Sequence, residues 1–180
     1  GQGRELQFFM HRWDLVAIKT LLRAAAAHRP VNRRELCSGP SLTWPAVMQL
    51  AEIGTLDELA LRLHAMFPSL CRSFPRLTSA GAENDIRLLE NLESALDHDY
   101  FGAIKCSGGD GGTRHILGAY AAIEIDRINL RIVLTEAARQ CRFSSEADWL
   151  PGGRLSMPLL DKMRSSGSLE SALLLLESTP

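Results

Sequence analysis

Three groups of residues have types and spacings that could do chemistry. Gly108-Gly-Asp-Gly-Gly-Thr113 leads into an apolar helical pattern, and backbone N–H groups at a helix start can cradle a phosphate. No strand precedes the glycines and no Lys-Ser/Thr pair follows them, so a flexible connection is the better reading. Asp97-His98-Asp99 offers three ligand-type residues in a row. Neighbours on a helix point in different directions and do not converge on one ion, which leaves a solvated helix surface. Serines and histidines are present without a Gly-x-Ser-x-Gly elbow, and no cysteine has a histidine at ligand or nucleophile spacing. No catalytic, cofactor-binding or metal-ligating residue is therefore assigned.

Polar residues inside otherwise apolar stretches carry more information. Asp126 and Asn129 lie three apart in a long apolar segment, and Asp14 lies in another. A buried carboxylate must be hydrogen-bonded or paired, so these side chains are expected to tie their helices to neighbouring helix ends or loops. An exposed aspartate is the alternative. Trp13, Trp44 and Trp149 stand among aliphatic residues, where a core or helix-contact role is expected.

The elements that must position these residues read as helices. Apolar residues recur three or four apart from Leu6 to Ala27, where Arg29-Pro30 stops the pattern. Thr43 is expected to cap a helix over Trp44 to Leu50 with Pro45 in its first turn, and Thr55 another over Leu56 to Met66. Pro68 to Ala82 reads as a connection. Asn84 to Ile104 and Ile116 to Gln140 are long helices separated by the glycine-rich stretch, and Leu150-Pro-Gly-Gly153 is a turn. Ser156 and Pro158 open one last-region helix; Gly167 ends it, and Ser168 caps another over Leu169 to Glu177.

The end of the chain repeats its beginning. Asp126 follows Asp14 by 112 residues, and the same shift pairs Arg131 with Lys19 and Leu134 with Leu22. After one added residue, Gly152 pairs with Gly39, Leu155 with Leu42, Pro158 with Pro45, Gly167 with Gly54 and Ser168 with Thr55. Leucines alone align by chance in any two amphipathic helices. Prolines, glycines and caps in constant order do not, so a first helical repeat over 1–68, a connection over 69–82 and a second repeat over 83–180 are expected.

Composition agrees with this reading. There are 29 leucines and 20 alanines against four valines, which favours helices over strands. Twenty basic and 21 acidic residues provide no field for holding nucleic acid. The longest uncharged run, Leu36 to Ala51, contains Gly39, Pro40 and Pro45, so no membrane span is expected. Cys37, Cys71, Cys106 and Cys141 fall 34 or 35 residues apart and read as reduced thiols of a cytoplasmic protein. The chain begins with glycine and shows no secretory leader, which suggests an excerpt of a longer protein.

Glu124-Ile-Asp-Arg-Ile-Asn-Leu-Arg131, followed by Leu150-Pro-Gly-Gly-Arg-Leu-Ser156, resembles the repeated signature of the rotor adaptor of archaeal-type (A-type) and vacuolar-type (V-type) rotary ATPases. Leu92-Glu-Ser-Ala-Leu-Asp-His-Asp-Tyr-Phe101 and Asp14-Leu-Val-Ala-Ile-Lys-Thr-Leu-Leu-Arg23 are similar to further segments of that family. The resemblance implies an all-α fold of repeated helical subdomains, here about two of a pseudo-threefold, three-subdomain cup. It implies a non-catalytic component without cofactor or metal, lying on the cytoplasmic face of the membrane. Central-stalk subunits and the proteolipid ring are its implied partners, in proton or sodium ion transport. Asp14, Lys19, Asp126, Asn129, Arg131, Pro151, Gly152 and Gly153 are the motif residues that it marks as structural. Three features depart from the family pattern: Ala17 stands opposite Asn129, Thr135 opposite Arg23, and the glycine-rich 108–112 stretch is foreign to it. A generic helical-repeat scaffold for another protein partner is the alternative.

Overall fold

A computed structural model describes residues 2–74, 84–106, 111–139 and 149–178, and the regular structure among them is helical, without strands. In chain order the helices are α1 (Gln2–Ala26), α2 (Trp44–Leu50), α3 (Leu56–Met66), α4 (Asp85–Cys106), α5 (Gly111–Arg139), α6 (Met157–Ser165) and α7 (Leu169–Glu177). The expected α-helical class is what the chain adopts. Helix α5 starts earlier than expected, because Gly111 and Gly112 already belong to its first turn. Residues 107–110 of the glycine-rich stretch lie outside the described residues.

Packing groups the chain into two compact units, Gly1–Asp110 and Gly111–Pro180. The first unit includes α4. Leu88, Leu92 and Leu96 recur at i, i+4 and i+8 on α4 and are all buried. Leu15, Ile18 and Leu22 form the corresponding stripe on α1, while α3 buries Leu56, Leu59 and Leu63. Each such side chain, fully removed from water, stabilises the fold by roughly 1.5–3 kcal/mol before ordering costs. Ion pairs reinforce the α1–α4 contact: Lys19 Nζ lies 2.6 Å from Asp97 Oδ1, and Arg23 forms a two-pronged pair with Glu93.

In the second unit, α5 packs on α6 and α7 around Val133, Trp149, Leu160, Met163 and Ala172. The four consecutive leucines of α7, Leu173 to Leu176, divide by helical geometry. Leu175 and Leu176 join this core, whereas Leu173 and Leu174 are exposed.

The helix ends differ between the units. Ser156 and Ser168 accept hydrogen bonds from Leu159 N and Ser171 N, as N-caps should. Thr43 and Thr55 occupy the cap positions with extended backbone, but their side chains make no capping bond. Gly167 has φ 76°, the left-handed conformation that glycine tolerates best. Gly54 is not in that region, and α2 ends at Leu50, as expected, with Ala51 as its cap.

Two of the three tryptophans depart from expectation. Trp13 is 53% exposed and Trp44 45%, while Trp149 is buried. Trp13 and Val16, three residues apart, share a face of α1 turned away from the buried stripe, and Met10, in line with buried Asp14, Ala17 and Leu21, is exposed as well, so periodic hydrophobicity overstated how much of this helix is covered.

Candidate functional site

Six of the eight motif residues, Asp14, Asp126, Asn129, Pro151, Gly152 and Gly153, gather at two loop-to-helix junctions, one in each unit. In the first, the fully buried Asp14 carboxylate accepts Leu42 N–H at 2.8 Å through Oδ1 and Ser41 N–H at 3.2 Å through Oδ2. In the second, Asp126 accepts Leu155 N–H at 3.0 Å through Oδ1 and Arg154 N–H at 2.9 Å through Oδ2. Both carboxylates hold two consecutive N–H groups just before a helix whose second residue is proline. Each aspartate thus clasps the entry of a short helix to the flank of a long one.

This close approach leaves no room for a side chain on the loop. A β-carbon at Gly39 would overlap the Asp14 carboxylate, and one at Gly153 would overlap that of Asp126. The two glycines do not occupy equivalent places under the 113-residue shift, which pairs Gly39 with Gly152. The second loop divides the work instead: Gly152 takes φ 103° to make the turn, and Gly153 admits the carboxylate. In the first loop Gly39 admits the carboxylate, and its N–H donates to Leu42 O. Pro151, before the glycine pair, is exposed.

Among the described residues, a second side-chain fastener to the loop backbone lies beside Asp126. Asn129 is buried and makes a double hydrogen bond with the backbone of Leu150, donating to its carbonyl at 3.0 Å and accepting its N–H at 3.1 Å. The first unit has buried Ala17 at the matching helix position and Cys37 at the matching loop position. There the Cys37 thiol donates to Trp13 O at 3.3 Å. Burial, aided by the negative charge of Asp14, pushes that thiol's pKa up and keeps it protonated.

The first unit instead adds a histidine. His11 Nδ1 lies 2.9 Å from Asp14 Oδ2 and 3.2 Å from Ser41 Oγ. These are Ser, His and Asp in contact, but the geometry is not that of a proton relay. A relay places the acid on one ring nitrogen and the nucleophile on the other, whereas here both face Nδ1. His11 is a third hydrogen-bond partner of the Asp14 carboxylate.

Lys19 and Arg131, paired by the repeat, have different environments. Lys19 reaches both oxygens of Asp97, at 2.6 and 2.7 Å. Arg131 is exposed, and its carbonyl accepts the Thr135 hydroxyl. Asp97 is therefore not the solvated surface residue expected: it is buried against α1 and its charge is met by a lysine. The place of Asp97 four residues before buried Phe101 on α4 is a periodicity signal of that burial, though not of the partner. Arg23, which has no counterpart at Thr135, is held above its usual pKa chiefly by its hydrogen bonds to Glu93.

Other polar groups escaped the sequence reading. Glu136 is buried on α5 and receives a two-pronged hydrogen bond from Arg164, whose guanidinium stacks 4.5 Å from the Trp149 ring. The Trp149 indole N–H donates to Asp161. In the first unit, Cys71 is buried and its thiol is pushed up to about 12, first by burial and then by the charge of Asp99. Asp99 Oδ2 is buried without a hydrogen-bond partner among the described residues.

The chemistry available from these groups is fastening. Asp14 and Asp126 each accept two backbone N–H groups, and Asn129 pairs with a backbone N–H and C=O. No helix among the described residues is long and apolar enough to cross a membrane. No curated protein and no solved structure matches the chain. The family described as ATP synthase (C/AC39) subunit matches residues 2–180. That span takes in both clasps and every helix described, and the chain belongs to the C/AC39 family of V/A-type ATP synthase subunits.

Proposed function

We propose that this chain is a non-catalytic rotor adaptor, linking the central stalk of a V/A-type rotary ATPase to its membrane proteolipid ring during proton or sodium ion transport. The recurring carboxylate clasp is the observation that carries the reading. A part that transmits torque must keep its helices fixed to one another, and a buried carboxylate holding two backbone N–H groups stiffens the junction where a chain would otherwise hinge. Both units invest their most distinctive polar residues in such junctions. On this reading the two units are about two of three related subdomains forming a cup on the cytoplasmic face of the membrane. The exposed leucines Leu169, Leu173 and Leu174 on α7 offer an apolar contact face within the complex.

The test is to purify the tagged protein from its native membranes under mild detergent and identify what accompanies it by mass spectrometry. Stalk subunits and the proteolipid are expected to co-purify. Recovery of the protein with neither would contradict the proposal. An ATPase activity intrinsic to this chain, surviving repurification and lost on a single substitution, would contradict its non-catalytic part.

A further inference from the structure

The loop after α1 carries Arg29, Arg33 and Arg34, all exposed. No ion pair among the described residues engages them. Two carboxylates in contact with this segment face other groups: Glu35 Oε1 accepts from the Asn32 amide at 2.9 Å, and Asp85 lies 3.1 Å from His28. The loop is nonetheless built rather than loose. His28 takes the left-handed conformation at φ 48°, and its N–H and that of Arg29 close the end of α1 on Ala25 O and Ala24 O. Asn32 Oδ1 then accepts Arg34 N–H, and Asn32 O accepts Glu35 N–H, fixing a turn with Arg33 and Arg34 at its tip.

A cation near a helix C-terminus is favoured by the helix dipole, which accounts for Arg29. That effect fades within one turn and does not reach Arg33 and Arg34. The chain as a whole carries a formal charge of −1, so this turn is a local exception in which like charges repel.

We propose that the Arg29–Arg34 turn docks onto a carboxylate-rich surface of another protein of the rotary complex; this rests on the functional reading above. Guanidinium forks held at a fixed turn match the planar, two-pronged geometry of carboxylates. An anionic membrane is the poorer match. Membrane-binding segments gather roughly four to eight basic residues, and stable anchoring needs a second signal. The turn has three arginines, and the 28–35 segment contains no aromatic residue to insert.

The experiment uses the assembled complex carrying Arg33→Lys and Arg34→Lys. These keep the charge and supply amines that a carbodiimide joins directly to contacting carboxylates. Mass spectrometry should find positions 33 or 34 linked to aspartate or glutamate of another subunit. In parallel, Arg29→Glu, Arg33→Glu and Arg34→Glu combined should weaken retention in the complex about tenfold at low salt, with the gap narrowing as salt rises. An unchanged circular-dichroism melting curve for the triple variant establishes that it folds. Intersubunit links absent at both positions, or wild-type retention of the triple variant, overturn the proposal. So does wild-type binding to phosphatidylserine-rich vesicles that the triple variant loses, without intersubunit links. If the chain enters no rotary ATPase at all, the functional reading fails first; entry with wild-type retention of the triple variant removes only the docking turn.

Discussion

The clasp at Asp14 and the clasp at Asp126 use the same carboxylate–backbone bonds in different surroundings. Asp14 is fully buried and has His11 as a third partner, whereas Asp126 is partly buried and sits one turn of helix from Asn129, which fastens a second point of the loop. One junction gains its hold from burial, the other from a second side chain. Equivalent positions in the two halves should therefore tolerate substitution very differently.

The largest effect is expected at Asp14. Removing its carboxylate leaves buried N–H groups without a partner, each such loss costing about 1–3 kcal/mol. Asp14→Ala should destabilise the protein by roughly 3 kcal/mol or more in urea unfolding. Asn129→Ala comes next, at about 2 kcal/mol, because two buried backbone groups of Leu150 lose their partner together. Asp126→Ala should cost only about 1 kcal/mol, since water can reach Arg154 N–H at this more open junction. If the order of Asp14 and Asp126 were reversed, burial would not be what distinguishes the clasps.

Smaller effects sharpen the comparison. Lys19 meets a buried carboxylate and Arg131 faces solvent, so Lys19→Met should measurably lower the melting temperature while Arg131→Met changes stability by less than about 0.5 kcal/mol. The buried thiol of Cys71 gives a pH signature. Its folded-state pKa of about 12 lies above that of an unfolded cysteine, so the unfolded chain loses this proton first as pH rises. The contribution is fully present below the unfolded value and is lost between roughly pH 8.5 and 12. Cys71→Ala should flatten the alkaline fall in stability; an identical slope in both proteins would show that the thiol does not carry it.

Much of this arrangement was legible in the sequence because caps, prolines and glycines obey local rules. Ser156, Ser168, Gly167 and the bounds of α2 and α3 needed only neighbouring residues to explain them. Asp14 and Asp126 stood out as polar residues in apolar helices, and their repeat spacing marked them as alike. Partners brought together by the fold were not visible. Asp97 looked like a surface residue because Lys19 is 78 positions away. Trp13 and Trp44 looked internal because apolar periodicity records which side of a helix could be buried, not whether another element covers it. The one-position shift between Gly39 and Gly153 was equally hidden, since either glycine of a pair can serve the turn or the close approach.

Amide hydrogen exchange tests the central claim, that buried or part-buried aspartates pin these two loops to their long helices. The account predicts protection at Leu42 and Leu155, stronger at Leu42, with Asp14→Ala releasing Leu42 and Asp126→Ala releasing Leu155. Exchange of both amides at unprotected loop rates in the unmodified protein would contradict it.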